Sequence, residues 1–377
     1  GLFLPFLAHV IGYISWLFLS YFMLVVKIFD ELPFASVRVD NIHVWQVWLY
    51  YVLLIAVMAT VFTWKQVSNF LKGMAAGTRL LVGKASNFVP ARHKIWVLFA
   101  LLVSVCLIWA AIIQMPDDKL RISVLDVGHG DAILIQTPNG QNILIDGGPS
   151  PRAISLALGE KLPFWDRTID LIVLTQPQAD HLTGLLEVLN NYNVGLIIEP
   201  NIEYNSEIYR EWSKLVKAKG IKHKIAHSGQ EIELGTGLSI DVLNPPPGLL
   251  NGTSDDVDNN GLVLRLSYND VSLLFTADIG LEAERYLVAQ RAKIKSTVLK
   301  VAHHGSKTST SSGFLAVVNP EVAAISVGSS NRLNIPNPEV TGRLIKQLGE
   351  NRVYTTAKNG TIEFITDGKR LWVKTGW

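Results

Sequence analysis

Apolar residues are concentrated in the first third of this 377-residue chain, and that uneven distribution constrains the fold more than any other feature. No Asp, Glu, Lys or Arg occurs within residues 2–26, 44–63 or 95–113. Each run is long enough, at the rise of a helix, to cross roughly 30 Å of hydrocarbon. A buried core helix or a signal peptide is the alternative, but Trp and Tyr near the ends of the runs favour membrane helices. We therefore predict three transmembrane helices within residues 1–116.

Basic residues between the second and third runs orient the predicted helices. Lys and Arg recur between positions 65 and 94 without an acidic residue, whereas the first loop mixes both signs. The positive-inside rule places the basic loop in the cytoplasm, so the part that follows residue 116 is expected to be extracytoplasmic. Because the chain starts with Gly inside an apolar run, we also expect it to be the C-terminal piece of a longer protein.

Residues 117–377 have the pattern of one α/β domain, in which short β-branched runs come first and helix-like segments then alternate with strands. The segment 244–260, rich in Pro and Asp, is predicted to be an exposed loop rather than a calcium site, because its aspartates lack EF-hand spacing. A single cysteine, Cys106, excludes an intramolecular disulfide.

Three predicted strands end in residues that bind metals. Asp146 ends the first, in ILIDGGP, and Asp278 ends another, in LLFTADIG. The third runs through VLKVAHHGS and delivers the adjacent pair His303 and His304, of which an extended chain lets only one point inward. The other would support the site or contact substrate. Asp146 alone is equally typical of a structural turn, but several such strand ends in one α/β segment indicate a metal site.

A fourth segment adds two more candidate ligands. The strand-like run in LTQPQADHLTGLL ends in a turn with Asp180 and His181 before a helix. Together, LDVGHGDAILIQTPNGQNILIDGGP, LTQPQADHLTGL, LFTADIG and KVAHHGSKTSTS, placed after a hydrophobic segment, resemble the C-terminal part of ComEC-type competence proteins. The resemblance implies a multi-domain chain, with a transmembrane α-helical segment at 1–116 followed by an α/β metallo-β-lactamase-like αββα sandwich at 117–377.

What this family does sets the functional expectation. Its membrane domain passes single-stranded DNA inward during natural transformation, and its hydrolase domain is implicated in degrading the complementary strand outside. The resemblance therefore implies a multi-pass protein of the bacterial inner membrane with an extracytoplasmic nuclease-like domain. Single-stranded DNA, the lipid bilayer and other competence DNA-receptor and translocation proteins are its implied partners; the sequence does not fix the oligomeric state.

The family also implies roles for individual residues. Asp180 and His181 match the ligands of the second metal, Asp278 matches the bridging carboxylate, and His303 matches the last His ligand, with His304 as the reserve candidate. Asp146 is placed to orient these ligands from behind.

The first metal site of the family is altered in this chain. The usual motif is THxHxDH, but Gln176 and Gln178 stand at the two leading His positions, and Asn259 and Asn260 occupy a region where many hydrolases of this fold place a further His. A Gln carbonyl is a poor zinc ligand, although it can serve Mn²⁺ or Mg²⁺. We expect one well-bound divalent ion, Mn²⁺ or Zn²⁺, with Mg²⁺ as a further option.

Residues near the His pair are candidates for phosphate contacts, with ordinary surface polarity as the alternative; they are Lys300, Ser306, Lys307, Thr308 and Ser309. His129 is interpreted as a turn residue or as a polar group beside the site. Acidic residues slightly outnumber basic ones after residue 116, so DNA contact would be local.

Three functions are therefore considered. The domain is a metal-dependent nuclease of a DNA-uptake channel, a non-catalytic element that binds or guides DNA at the pore, or a hydrolase for small molecules.

Overall fold

A computed structural model of the chain describes residues 103–105, 119–163, 165–329 and 335–376. The three apolar runs of the N-terminal third lie outside these residues, apart from 103–105. Within the described ranges, no helix combines the length and the apolarity needed to cross a membrane.

Strands within the described part form two sheets. The first has the order β15-β14-β1-β2-β3-β4-β5-β6 and the second the order β13-β12-β11-β10-β9-β8-β7. Their bounds are β1 Leu120–Val124, β2 Ile133–Gln136, β3 Asn142–Ile145, β4 Thr168–Val173, β5 Asn193–Glu199, β6 Lys222–Ile225, β7 Glu231–Gly235, β8 Leu238–Asn244, β9 Val263–Tyr268, β10 Val271–Phe275, β11 Val298–Lys300, β12 Val322–Ile325, β13 Val353–Thr355, β14 Ile362–Thr366 and β15 Leu371–Thr375.

Helices cover the outer faces of both sheets. Their bounds are α1 Pro151–Lys161, α2 Ala179–Asn191, α3 Glu207–Lys219, α4 Asp256–Asn259, α5 Leu281–Ala289, α6 Ser312–Val318, α7 Pro338–Leu348 and α8 Thr356–Asn359, with 3-10 turns at Ala302–Gly305 and Glu350–Arg352. Several begin at residues that favour helix starts: Ser150 and Ser206 accept a backbone N–H bond with their side chains, and Pro151 stands at the first helical position of α1.

Three apolar clusters show how the layers pack. One lies between the two sheets, where Ile122 and Ile135 of the first sheet share a core with Ile240 and Leu273 of the second. Another joins the first sheet to α1, α2 and α3, and the last joins the second sheet to α5, α6 and α7. The described residues therefore form the αββα sandwich that the sequence predicts.

Parallel pairing decides where the site can form. Strands β3, β4, β5 and β6 run parallel to one another in the first sheet, as β10, β11, β12 and β13 do in the second. The segments that follow the carboxyl ends of parallel strands meet at one edge of a sheet, and here both sheets contribute such an edge. Asp146, His181, Asp278 and His304 all follow these strand ends.

The segment 244–260 differs from the exposed loop that the sequence predicts. Asp255 caps the short helix α4, and Asp258, Asn259 and Asn260 are buried. Asn259 accepts hydrogen bonds from the backbone N–H groups of Gly280 and Ala283, which ties this segment to the start of α5. The side-chain amides of Asn259 and Asn260 are thus both occupied by hydrogen bonds to the backbone.

Candidate metal centre

Close backbone packing places the first turn of α2 against the end of β3. The N–H of Gly147 donates to the carbonyl of His181 at 2.7 Å, and that of Gly184 donates to the carbonyl of Gly148 at 2.9 Å. A Cβ atom on Gly147 or Gly184 would collide with the opposing backbone, so both positions require Gly. The GG that follows Asp146 and the Gly of HLTGL therefore fix the position of His181.

His181 is held in one tautomer. Its Nδ1 lies 2.8 Å from Oδ2 of Asp146, whose Oδ1 and Oδ2 also accept hydrogen bonds from the backbone N–H and the hydroxyl of Thr175. A carboxylate at this distance fixes one ring proton on Nδ1, so Nε2 is the nitrogen that faces the site. The structure thus places Asp146 behind His181, as the sequence suggests.

His304 is oriented in the same way from the second sheet. Its Nδ1 lies 2.9 Å from the carbonyl oxygen of Ser326, which requires the proton on Nδ1, and its buried Nε2 has no hydrogen-bond partner. His304 and the neighbouring His303 both have left-handed backbone angles, with φ of 52° and 49°. Such angles in residues other than Gly concentrate at functional sites.

Four ligand atoms converge between the two sheets. Oδ2 of Asp278 lies 3.2 Å from Nε2 of His181 and 3.5 Å from Nε2 of His304; Oδ2 of Asp180 lies 4.0 Å and 3.7 Å from the same nitrogens. Metal bonds of roughly 2.1 Å in a tetrahedron separate neighbouring ligands by about 3.4 Å. The residues present therefore fit one divalent cation.

Charges within the group favour its ionised form. Burial opposes ionisation of Asp278, but His304 and His181 outweigh it and hold the pKa of that carboxyl well below its ordinary value. Burial likewise opposes protonation of His181, but Asp278 and Asp146 raise the pKa of its ring well above the ordinary value. A bound cation would take the place of the protons that these carboxylates now attract.

The structure corrects the choice between the two adjacent histidines. His304 joins Asp180, His181 and Asp278, whereas His303 lies outside this group, partly exposed, with its Nδ1 3.6 Å from Oδ2 of Asp258. The expectation of His303 rested on an extended strand, but β11 ends at Lys300 and the pair lies in a 3-10 turn. Strand alternation therefore does not apply.

Two of the five predicted phosphate contacts are buried. Lys300 is buried and forms an ion pair with Asp131, and Ser309 is buried with its hydroxyl donating to the carbonyl of Ala302. Ser306 is half-buried, and Lys307 and Thr308 are exposed. These three lie on the segment that follows His304.

Gln176 and Gln178 both lie beside the centre. Nε2 of Gln176, a fully buried side chain, is 2.8 Å from Nε2 of His181. The side chain of Gln178 forms a hydrogen bond with that of Asp258. Neither supplies an imidazole, and the altered first site stays a prediction.

Sequence reasoning missed Asp131, although it lies in the GHGDA motif. Its Oδ1 is 3.5 Å from Nδ1 of His304, and its other oxygen pairs with Lys300. An acidic residue between Gly130 and a buried strand was the available signal. The ring of His129, two residues earlier, lies 4.6 Å from that of His304, which places it beside the site.

The metallo-beta-lactamase superfamily model matches residues 125–329, which is more than half of the chain and includes all four converging residues. The chain therefore belongs to that superfamily, whose hydrolase fold implies binding of a divalent metal.

Within that superfamily, the chain is similar to proteins named for competence and recombination. The chain is 28% identical to ComE operon protein 3 of Bacillus subtilis, covering 65% of this chain and 33% of the relative. It is 31% identical to Recombination protein 2 of Haemophilus influenzae, covering 66% and 29%, and 28% identical to Competence protein ComA of Neisseria gonorrhoeae, covering 61% and 30%. The resemblance to ComEC-type proteins is thus confirmed; the matches span about a third of the length of these relatives.

Proposed function

We propose that residues 117–377 are an extracytoplasmic, metal-dependent phosphodiesterase that degrades the non-imported strand during DNA uptake. The observation that carries this proposal is the set of four ligand atoms from Asp180, His181, Asp278 and His304, which all lie within 4.8 Å of one another, with carboxylate-to-imidazole distances of 3.2 to 4.0 Å. The names of the curated relatives, which refer to competence and recombination, support DNA as the substrate.

The chain's own residues supply ligands and proton transfer. A divalent ion in this group would lower the pKa of a bound water and neutralise charge that develops on a phosphate. His129 faces the same place: burial and the neighbouring His304 lower the pKa of its ring, so the imidazole is neutral near pH 7 and can accept a proton from an attacking water. The carbonyl of Ser326 holds His304 in position from behind, and the carboxylate of Asp131 lies 3.5 Å from the same nitrogen.

Phosphate would be bound by the segment after the His pair. Lys307 is exposed and its ammonium lies 3.0 Å from Glu339, a surface pair that a phosphate can exchange at little cost. The hydroxyls of Ser306 and Thr308 contact each other at 3.0 Å beside it. This short segment suits a local contact with the DNA backbone, which the acidic balance of the domain requires.

Residues 1–116 are proposed to be the end of a channel domain in the bacterial inner membrane. The charge-free runs and the basic loop at 65–94 support this topology. The membrane part would pass single-stranded DNA inward, in contact with the lipid bilayer and with other competence DNA-receptor and translocation proteins. The outward position of residues 117–377 follows from the same loop charge.

The test is hydrolysis of labelled single-stranded DNA by the full chain, purified in detergent, with Mn²⁺, Zn²⁺ or Mg²⁺. We expect metal-dependent cleavage that is lost with chelator and in His181→Ala. The matched control is His223→Ala, which removes a partly exposed imidazole that pairs with Glu199. Absence of cleavage by folded protein with all three metals would instead support a domain that binds or guides DNA, a role for which Gln176 and Gln178 speak.

A further inference from the structure

Basic residues are crowded into one part of an otherwise acidic domain. Six Lys and Arg and two Glu lie within residues 207–224, whereas the rest of residues 117–377 holds 20 Lys and Arg against 27 Asp and Glu. The segment spans α3 and most of β6, the strand at one end of the first sheet. All six basic side chains are exposed, so their charge attracts anions from solution.

The basic residues of α3 share one face of the helix. Arg210, Lys214 and Lys217 are spaced i, i+4 and i+7, which aligns their side chains along one side. The opposite side packs on the core through Trp212 and Val216, which are buried. At about 1.5 Å per residue, the three charges extend over roughly 10 Å of the helix. We call this row of three residues the α3 strip.

The α3 strip keeps its charge for an external partner. Within the part of the chain that the structure describes, none of its three side chains forms an ion pair, and the guanidinium of Arg210 donates to the side-chain oxygen of Asn205 at 3.4 Å. By contrast, the exposed Lys293 and Lys307 pair with carboxylates at 3.7 and 3.0 Å. Like charges at i and i+4 disfavour a helix, so an anion bound along the strip would stabilise α3.

The α3 strip begins beside the metal centre. Because β5 and β6 are parallel, α3 must run back from the carboxyl end of β5, which lies at the edge where the centre forms. Tyr209, which precedes Arg210, lines one surface depression together with Pro177. Pro177 lies between the two glutamines that stand beside the centre. The strip therefore leads away from the centre, with Arg210 nearest to it and Lys217 farthest.

Buried hydrogen bonds fix the orientation of α3. The carboxylate of Glu199, which ends β5, accepts from Nε1 of Trp212 at 3.0 Å and from the hydroxyl of Tyr209 at 3.2 Å. Both donors belong to the side of the helix that faces the core. A binding surface on a rigid element is positioned more precisely than one on a loop, so the strip presents its charges in a fixed row.

We propose that the α3 strip binds the phosphodiester backbone of single-stranded DNA and leads that strand to the metal centre. The proposal rests on the proposed function for the nature of the polyanion. Three cations in a row on a rigid helix can follow one strand without reading its bases. The strip thus supplies the local contact that a domain of acidic balance needs in order to hold DNA.

The experiment measures DNA binding in the absence of cleavage. The full chain, in detergent with chelator, is titrated into a labelled single-stranded oligothymidylate, and fluorescence anisotropy gives the affinity at several salt concentrations. The triple variant Arg210→Gln, Lys214→Gln, Lys217→Gln should lose about two units of salt slope, because each phosphate contact on a single strand contributes about 0.7. At about 0.1 M salt, the same loss corresponds to roughly 100-fold weaker binding.

The triple variant Arg285→Gln, Lys346→Gln, Lys358→Gln is the matched control, since it removes the same charges from exposed positions on α5, α7 and α8. Its slope should equal that of the wild type. Glu211→Gln removes an exposed acidic group next to the strip and should tighten binding severalfold, a gain that misfolding cannot produce. Glu321→Gln, at an exposed position before β12, is the control for that gain.

Three results would overturn the proposal: an unchanged slope in the α3 variant, equal losses in the two triple variants, or no gain in Glu211→Gln. The first of these would mean that the strip serves another anionic partner, such as an acidic protein. Because the chelator prevents hydrolysis, a chain that binds DNA through the strip and never cleaves it would reject the nuclease and keep the strip.

Discussion

The imidazole-rich half of the centre, at His181 and His304, differs from the half at His303 and Asp258 in how firmly its side chains are held. In the imidazole-rich half, His181 and His304 are fully buried, and each has its Nδ1 fixed by an oxygen at 2.8 or 2.9 Å. In the half at His303 and Asp258, the ring of His303 is partly exposed, and its Nδ1 lies 3.6 Å from Oδ2 of Asp258. Asp278 is common to both.

The ligands of the imidazole-rich half are therefore the ones that are fixed from behind. Asp146 and Thr175 support His181, and Asp131 with Ser326 supports His304. Such supports act on geometry before any metal arrives, and they typically contribute 10- to 100-fold in metal affinity. In the half at His303 and Asp258, by contrast, the side chain of Gln178 bonds Asp258, but the ring of His303 has only the carboxylate of Asp258 at 3.6 Å.

The largest effect, on DNA cleavage and metal binding, is expected at Asp278, where the halves meet. Asp278→Ala removes the carboxylate that lies against both His181 and His304, so cleavage of DNA and binding of the divalent cation should be lost. Asp270→Ala, an exposed residue in the turn between β9 and β10, is the control for the same chemical change. Metal binding by isothermal titration calorimetry makes the comparison, and full retention of cation binding in Asp278→Ala would contradict its role as a ligand.

A second large effect, on the free energy of unfolding, is expected from the buried ion pair behind the imidazole-rich half. Lys300→Met leaves Asp131 buried without its ion-pair partner, which should lower the free energy of unfolding by about 3 to 5 kcal/mol. The double variant Asp131→Asn, Lys300→Met should regain part of this loss. Urea denaturation measures both. A Lys300→Met variant as stable as the wild type would mean that the buried pair contributes nothing.

The two adjacent histidines separate the halves directly. His304→Ala removes an oriented ligand and should weaken Zn²⁺ binding by at least about 100-fold, or about 2.7 kcal/mol. His303→Ala should weaken it by no more than about threefold, because this ring lies outside the four-atom group. Competition with a zinc-sensitive dye gives both affinities. The reverse order of effects would restore His303 as the ligand.

The smallest effect is expected on the exposed rim. Lys307→Ala breaks a surface pair with Glu339, so stability should change by less than about 1 kcal/mol. If Lys307 contacts a phosphate, the salt dependence of DNA binding should lose about one unit of slope, uniformly across sequences. Fluorescence anisotropy at several salt concentrations measures the slope, with Lys346→Ala on α7 as a control. Equal slopes in both variants would remove Lys307 from the DNA contact.

Residues of this centre could be predicted from the sequence where local pattern positions them, and could not where contacts between distant parts of the chain do. Asp146, His181 and Asp278 follow directly from strands that end in a turn, so their convergence could be inferred from local pattern and parallel pairing. The choice of His304 could not, because it depends on the left-handed backbone of the His pair. Lys300 looked available for DNA because its partner, Asp131, is 169 residues away. Asp258 looked solvated because only the folded chain brings it to His303.

Anomalous X-ray diffraction from crystals of the full chain, loaded with Zn²⁺ and collected at the zinc edge, would locate the bound ion. We expect a zinc ion bonded to Nε2 of His181, Nε2 of His304 and the carboxylates of Asp180 and Asp278. A zinc ion bonded to His303 instead, or no ordered ion between these four residues, would contradict it.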